Sequence, residues 1–205
     1  MTRPLLGVMT AVTFLWVIPA HAQAPSLQEE LEASVLPLPT SLRAEAGVFR
    51  WIGDGQMETL RPSRNGMSCI ADDPTDETFD VRCYHDDFWR VIRRFGDLRR
   101  SGMAFEDANE AIRQAAESGE LIMPASPTAG YRMLGPISAF DFASRTAGPE
   151  IKRWQSIHFP FRSADEIGLT EDEEPNKTEL PGQLPYVMAS GTWWSHVMIV
   201  HEPFD

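Results

Sequence analysis

Two cysteines, Cys69 and Cys83, are the residues of this sequence whose type and spacing most directly indicate chemistry. They could form a disulfide, join His85 in a metal site, or supply a reactive thiol. The metal site lacks a visible fourth ligand and the short Cys-x₂₋₄-Cys spacing of zinc sites, and no Cys-x-x-Cys redox motif is present. The residues around each cysteine alternate as in β-strands, and two neighbouring strands would bring the thiols within bonding distance. We therefore predict a Cys69–Cys83 disulfide.

Histidines are the next candidates, and four lie beyond residue 22: His85, His158, His196 and His201. His196 and His201 are five residues apart, which places them on opposite faces of a regular strand. We therefore expect them not to share a metal ion, unless a β-bulge reverses the parity. The neighbouring Ser195 and His196 point apart for the same reason, unless the strand begins after Ser195. We predict no metal and no cofactor.

His85 precedes two acidic residues, Asp86 and Asp87, in a pattern that resembles an acid–base cluster. Carboxylates are also favoured at the start of a helix, where they cap free backbone amides. We therefore interpret Asp86 or Asp87 as the cap of the helix that follows. The best single histidine candidate is His196, because it follows a Gly-Thr turn and two tryptophans.

Trp193 and Trp194 are, with His196, the candidate ligand-binding residues. Adjacent residues of a strand face opposite ways, so one indole should fill the core and the other should meet solvent or a partner. The exposed indole could stack on a flat ligand such as a sugar or a peptide. The alternative is one core residue and one aromatic residue that covers the sheet edge, buried under the acidic segment 171–185. We favour this alternative for the tryptophans, because tryptophan is bulky and usually buried.

The first 22 residues have the layout of a secretory signal peptide, with a basic start at Arg3, an apolar stretch over 5–20 and an Ala-His-Ala cleavage site. We favour cleavage over a retained anchor, because Pro19 and the small-residue site follow the apolar stretch. No later apolar run approaches the length of a membrane span. The mature chain is expected to be soluble and periplasmic or secreted, where oxidising conditions favour a disulfide.

The chain is acidic, with a formal net charge of −12 that becomes −13 when residues 1–22, with one arginine and no acidic residue, are removed. This charge repels phosphate backbones and anionic membranes, so we expect no nucleic-acid partner. The segment "WRVIRRFGDLRR" is a local basic exception. Most of its arginines are expected to pair with carboxylates or to face water, and an anion or partner site is the alternative.

Hydrophobic periodicity predicts an α+β fold. A short helix over 26–36, strands over 48–52 and 57–60 joined at Asp54-Gly55, and two cysteine-bearing strands come first. Two helices follow, and the chain returns to strands over 131–134, 154–161 and 196–201. We expect one antiparallel sheet with a block of helices on one side. The expected division is a signal peptide over 1–22, an N-terminal helix and linker over 23–45, and a single domain over 46–205.

Two short segments, "LRPSRNGMSC" (Leu60–Cys69) and "SGTWWSHVMI" (Ser190–Ile199), carry a resemblance. The chain resembles a loose group of uncharacterised exported bacterial proteins that have an L-R-x-G-x-N-G-x-x-C segment and a G-T-x-x-x-H-[VI]-M segment. It departs from the first pattern at Ser63, where the group has glycine. The resemblance implies export and two cysteines, and it implies no activity and no catalytic residue.

Two functions from different classes follow from these patterns. The first is a non-catalytic exported module that binds a small ligand or an envelope protein through Trp193, Trp194 and the neighbouring loops. The alternative is a hydrolase-like enzyme that uses His196 or His85 with a carboxylate. The binding module is favoured, because no local spacing supplies a nucleophile, a base and a stabilising group together.

Overall fold

A computed structural model of the chain describes residues 24–52, 55–73, 75–169, 171 and 185–201. The predicted signal peptide over 1–22 lies outside the described residues, as does nearly all of the acidic segment 171–185. Four α-helices are present in the described part. They are α1 (Leu27–Ser34), α2 (Thr40–Arg43), α3 (Asp86–Arg100) and α4 (Phe105–Glu117).

The helix starts follow from local hydrogen bonding. α1 begins with a capping box, in which Ser26 accepts a hydrogen bond from the Glu29 amide (3.3 Å) and Glu29 accepts one from the Ser26 amide (2.7 Å). The predicted cap of α3, Asp86 or Asp87, was wrong: the helix begins one or two residues earlier, because His85 is its N-cap and accepts a hydrogen bond from the Asp87 amide at 3.2 Å. Asp86 and Asp87 therefore occupy the first turn, where the positive end of the helix dipole stabilises negatively charged carboxylates.

Eight strands form one sheet in the order β2-β1-β3-β4-β5-β8-β10-β9. Neighbours are antiparallel, except that β1 and β3 are parallel. A separate two-stranded hairpin is formed by β6 and β7. The strands are β1 (Gly47–Trp51), β2 (Met57–Arg61), β3 (Met67–Ile70), β4 (Thr78–His85), β5 (Thr128–Pro136), β6 (Phe140–Asp141), β7 (Thr146–Ala147), β8 (Lys152–His158), β9 (Tyr186–Met188) and β10 (His196–His201).

The sheet buries apolar residues on both faces. One face packs against α1 and the segment that follows it, through a cluster that contains Val35, Leu38, Val48, Met67 and both cysteines. The other face packs against α3 and α4, through a cluster that contains Tyr84, Phe88, Trp89, Ile112 and Trp193. The alternation of β4 explains this division, because Val81 and Cys83 point to the first face and Tyr84 points to the second.

The α+β class predicted from the sequence is confirmed, and the predicted block of helices is α3 and α4. The Cys69–Cys83 disulfide is also confirmed. The two cysteines lie directly opposite each other on β3 and β4, and both are fully buried. In the part of the chain that the structure describes, no helix is both long and apolar enough to cross a membrane.

The Leu60–Cys69 segment has a structural role beside the disulfide. Arg61 donates a hydrogen bond to the carbonyl of Arg43 (2.8 Å), and the Asn65 side chain donates to the carbonyl of Leu42 (2.7 Å). Gly66 has a φ of 80°, a conformation that glycine adopts without strain. These residues therefore fix the connection between α2 and β1, and they lie apart from the tryptophan pair.

Candidate functional site

The segment around the tryptophan pair forms a tight turn between β9 and β10. Ala189 and Gly191 have φ values of 52° and 74°. The Thr192 hydroxyl donates to the Ala189 carbonyl (2.7 Å) and accepts from the Trp194 amide (3.2 Å). β10 begins only at His196, so the two tryptophans precede the strand.

The prediction that the two indoles face opposite sides of a strand was therefore wrong. Trp193 and Trp194 have ring centroids 5.1 Å apart, and both rings pack near Phe88 of α3. Strand parity does not apply inside a turn, because the backbone is not extended there. The turn places both indoles on the face of the sheet that carries α3 and α4.

Trp193 connects the turn to both helices. Its side chain is 3% exposed, and its Nε1 donates a hydrogen bond to Oδ1 of Asn109 on α4 at 2.9 Å. Its ring centroid is 5.1 Å from that of Phe95 on α3. Trp193 is thus a core residue whose polar atom is satisfied, and one edge of it borders the cleft described below.

Trp194 is half-buried and occupies a different environment. Its ring lies near those of Tyr84 (6.1 Å), His158 (5.2 Å) and His196 (5.8 Å), measured between centroids. No acceptor among the described residues pairs with its Nε1. One side of this indole therefore rests on a buried aromatic cluster.

A cleft of about 1000 Å³ opens between α3, α4, the sheet and the tryptophan turn. This volume is at the upper end of the range typical of small-molecule sites. Six aromatic residues line the cleft, and two of them, Phe105 (53%) and Phe161 (39%), are exposed large apolar side chains. The six are Trp51, Phe95, Phe105, Phe161, Trp193 and Trp194.

Charged groups at the cleft are mostly engaged with other protein groups. Arg113 forms ion pairs with Glu110 and Glu117 on the same helix. Arg100 lies over the Trp51 ring with its guanidinium carbon 4.5 Å from the centroid, and Arg99 lies over Phe105 at 5.8 Å. The arginines of α3 thus make cation–π contacts with the aromatic rings of the cleft. The surface of the cleft is mainly aromatic.

Two loop residues at the wall of the cleft have an unusual backbone conformation. Phe161 has a φ of 65°, which is rare for a bulky residue, and Ala189 shares this region of φ. The Phe161 amide donates to the Thr192 carbonyl (2.7 Å), and the Gly191 amide donates to the Arg162 carbonyl (2.9 Å). These hydrogen bonds continue the pairing of β8 with β10 beyond the strands, and they fix Phe161 beside the tryptophans. Such conformations persist where surrounding contacts enforce them, often at binding sites.

His196 lies beneath Trp194 and directly opposite His158 on the neighbouring strand β8. The two imidazole centroids are 4.9 Å apart, and both rings are buried. His196 Nδ1 is 2.6 Å from the Trp194 carbonyl oxygen. A carbonyl oxygen can only accept, so this nitrogen carries a proton.

Burial lowers the pKa of His158 well below its ordinary value of 6.5, and the neighbouring His196 lowers it further. Burial also lowers the pKa of His196, although the hydrogen bond to the Trp194 carbonyl partly opposes this. Both imidazoles are therefore neutral near pH 7. His158 Nε2 is 2.9 Å from the Ser156 hydroxyl, and its Nδ1 has no hydrogen-bond partner within the described residues.

The Ser156–His158 contact has the distance of a nucleophile–base pair. However, both residues are buried, and aromatic rings stack over the imidazole, with the Phe88 centroid at 4.4 Å. No carboxylate of the described residues contacts either His158 or His196. The arrangement therefore has a base and a hydroxyl, but it has neither the third group that orients a base nor access for a substrate.

The other sequence candidates lie elsewhere. Ser195 donates to the Arg162 carbonyl (2.6 Å) and does not pair with His196. His85 is at the start of α3, with Nδ1 3.7 Å from an Asp87 carboxylate oxygen. β10 pairs with β8 without a bulge from His196 to His201, although the His201 side chain lies outside the described residues. No group of three His, Cys, Asp or Glu residues in the described part could hold a metal ion.

Several residues of this site were missed by the sequence analysis. Asn109 and Phe105 come from α4, and Phe161 comes from the loop after β8, which places them far from the tryptophans in the chain. The sequence pattern predicts α4 but not where its polar residues meet the turn. The available indication was Phe105, an aromatic residue at the first position of a helix whose other apolar residues are small or aliphatic.

The chain matches no protein-family model, no curated protein and no solved structure.

Proposed function

We propose that this chain is an exported, non-catalytic binding module whose ligand occupies the cleft beside Trp193 and Trp194. The observation that carries this proposal is the set of six aromatic residues around a concave space of about 1000 Å³. Monomeric proteins rarely leave large contiguous apolar surfaces open to water unless those surfaces bind something. The disulfide and the signal-like N-terminus support export.

The chemistry of the cleft favours a small ligand with a flat apolar face. Indole and phenyl rings bind such faces by stacking. The Nε1 of Trp194, which has no acceptor among the described residues, would add one hydrogen-bond donor. Arg113 is paired with two glutamates of α4, and two arginines of α3 lie against aromatic rings, so stacking on apolar surface is the interaction that the cleft offers most widely. A concave cleft also suits a small molecule better than the flat surface of a protein partner.

The hydrolase-like alternative receives less support. His196 has a carbonyl partner instead of a carboxylate, and His85 has Asp87 nearby but lies outside the aromatic cleft. The Ser156–His158 contact is the one feature that favours this alternative, and burial separates it from solvent.

The experiment that tests the proposal uses the neutral fluorescent probe N-phenyl-1-naphthylamine, which has flat apolar rings. We expect saturable binding to the mature protein, and we expect Trp194→Ala to weaken it about tenfold through loss of one stacking surface and one donor. Trp154→Ala is the matched control, since Trp154 is a half-buried tryptophan outside this cleft. Denaturant unfolding of each variant checks that the fold is kept.

Absence of saturable binding, or equal weakening by Trp154→Ala and Trp194→Ala, would overturn the proposed site. Chemical-shift changes of indole N–H signals on probe addition provide a second readout. We expect the Trp194 signal to shift most, because its N–H has no acceptor among the described residues. The Trp193 signal should shift less, because Asn109 already accepts from it.

A further inference from the structure

A second and smaller cleft, of about 460 Å³, opens on the opposite face of the sheet. It lies between the α1–α2 connection, α2 itself, and strands β5 and β8. Tyr131 and Gln155 are paired across these strands and lie on the same face as Cys83. This cleft is therefore separated from the tryptophan cleft by the thickness of the sheet.

Three arginines line this cleft. Arg132 forms an ion pair with Asp80, whereas Arg43 and Arg153 have no carboxylate partner among the described residues. Arg43 donates to the backbone carbonyls of Leu38 (2.8 Å) and Leu36 (2.9 Å), and these bonds hold its guanidinium in place without neutralising its charge. Arg153 is half-buried and forms neither an ion pair nor a side-chain hydrogen bond with any described residue. No acidic residue in the described part, which ends at His201, lines the cleft.

The electrostatics of this pair are unfavourable as they stand. Burial lowers the pKa of Arg43, and the positive charge of Arg153 lowers it further. Burial also lowers the pKa of Arg153. Two like charges that are partly removed from water, with no counter-charge, cost free energy unless an anion joins them. In a chain of net charge −12, carboxylates are abundant, yet none of the described ones reaches this pair.

We propose that this cleft binds an oxyanion, a carboxylate or phosphate group carried by a small organic molecule, between Arg43 and Arg153. Guanidinium groups match the planar fork of a carboxylate and the oxygens of a phosphate. Both arginines have N–H groups without an acceptor among the described residues. The Tyr131 hydroxyl, 3.5 Å from the Gln155 amide nitrogen, adds a polar group at the same wall. Leu36, Pro37 and Pro39 supply apolar contacts for the body of the ligand.

This inference is independent of the aromatic cleft, and a titration with four probes tests it. The probes are inorganic phosphate, phenyl phosphate, benzoate and the uncharged benzyl alcohol. We expect the mature protein to bind phenyl phosphate or benzoate, and to bind benzyl alcohol at least tenfold more weakly, because only the anions neutralise the arginine pair. The stronger of the two anions identifies which oxyanion the cleft prefers, and inorganic phosphate shows how much the organic body contributes.

Arg153→Gln is the decisive variant, since the Arg153 side chain forms no ion pair or hydrogen bond with any described residue. We expect it to weaken anion binding at least tenfold and to leave stability in anion-free buffer unchanged or higher. Arg90→Gln is the control, because Arg90 is an exposed arginine that pairs with Asp87 on α3. Equal weakening by both variants, no anion binding at all, or a loss of stability in Arg153→Gln without a loss of binding would overturn the proposal.

Discussion

His158 and His196 face each other across β8 and β10, with imidazole centroids 4.9 Å apart and both rings buried. Aromatic rings surround them, including Phe88 and Trp194, and no carboxylate of the described residues contacts them. A positive charge on either imidazole would have neither water nor a counter-ion among the described residues beside it. The pair is therefore a neutral element of the core, and protonation opposes folding.

The first prediction concerns pH. The pKa values of His158 and His196 are lowered in the folded state, so the unfolded chain binds protons that the folded chain does not. The neutral pair makes its full contribution to the free energy of unfolding above pH 6.5, which is the pKa of histidine in the unfolded chain. This contribution decreases as the pH falls below 6.5. We expect this loss to reach about 1.4 kcal/mol per pH unit for each imidazole that stays neutral.

Urea unfolding between pH 5 and 8 measures this effect by comparison with the double variant His158→Gln/His196→Gln. The difference in unfolding free energy between the wild type and the variant should shrink as pH falls below 6.5. A constant difference over this range would show that the imidazoles titrate normally in the folded state.

Local patterns were enough to predict the elements that depend on neighbouring residues. Hydrophobic spacing and turn residues predicted the helices α3 and α4, the β1–β2 pair and the two cysteine strands. The disulfide was predicted from strand alternation and from the expectation of an oxidising compartment. The hairpin of β6 and β7 was not predicted, since its strands are two residues each and have no periodicity to detect.

The site could be predicted only in part. The pairing of His158 with His196 depends on β10 lying beside β8, and strand order is a long-range property that local patterns do not contain. Trp193 and Trp194 were identified as candidates, but their orientation was wrong because the turn over 189–195 ends the extended backbone before β10. Asn109 and Phe161 join the tryptophans only through tertiary packing.

The second prediction concerns the disulfide. Cys69 and Cys83 are 14 positions apart and connect two adjacent strands whose side chains at this point are fully buried. Replacing both by alanine should lower the free energy of unfolding by about 3 kcal/mol, because the unfolded chain gains the freedom of an open loop. Urea unfolding of the oxidised wild type and the double variant measures the change. An unchanged midpoint would mean that the strands hold together without the bond.

The third prediction separates the roles of the two tryptophans. Trp193→Ala should lower stability by about 3–5 kcal/mol, because a buried ring and its contacts with α3 and α4 are lost. Asn109→Ala should cost about 1–3 kcal/mol, since it leaves the buried indole N–H without its acceptor. Trp194→Ala should cost only about 1–2 kcal/mol, because this ring is half-buried.

Chemical denaturation of these three variants gives the ranking directly. A double variant of Trp193 and Asn109 serves as the control, because the cost of removing both residues should be less than the sum of the single costs if they share a hydrogen bond. A larger loss for Trp194→Ala than for Trp193→Ala would reverse the assignment of core and cleft residues.

The last prediction concerns Asp72, which is 4% exposed and lies just after β3. Its Oδ1 accepts a hydrogen bond from the Asp80 amide (2.7 Å), and its Oδ2 is buried without a partner among the described residues. Burial raises its pKa, the hydrogen bond from the Asp80 amide partly opposes this, and the nearby carboxylates of Asp76, Asp80 and Asp73 add to the rise, so that the pKa is about 6. The folded chain therefore keeps a proton that the unfolded chain has already released, over the range from pH 3.8 to about 6.

Ionisation of Asp72 consequently lowers stability as pH rises through this range, in the direction opposite to the histidine effect. A rise in pKa from 3.8 to about 6 corresponds to about 3 kcal/mol. Asp72→Asn cannot ionise, so its unfolding free energy relative to the wild type should increase by about this amount between pH 4 and 7. Asp141→Asn is the matched control, because hydrogen bonds from Ser144 lower the pKa of Asp141 and limit its effect to pH values below about 3.8. Parallel curves for Asp72→Asn and the wild type would show that the Asp72 carboxylate reaches water in the folded protein.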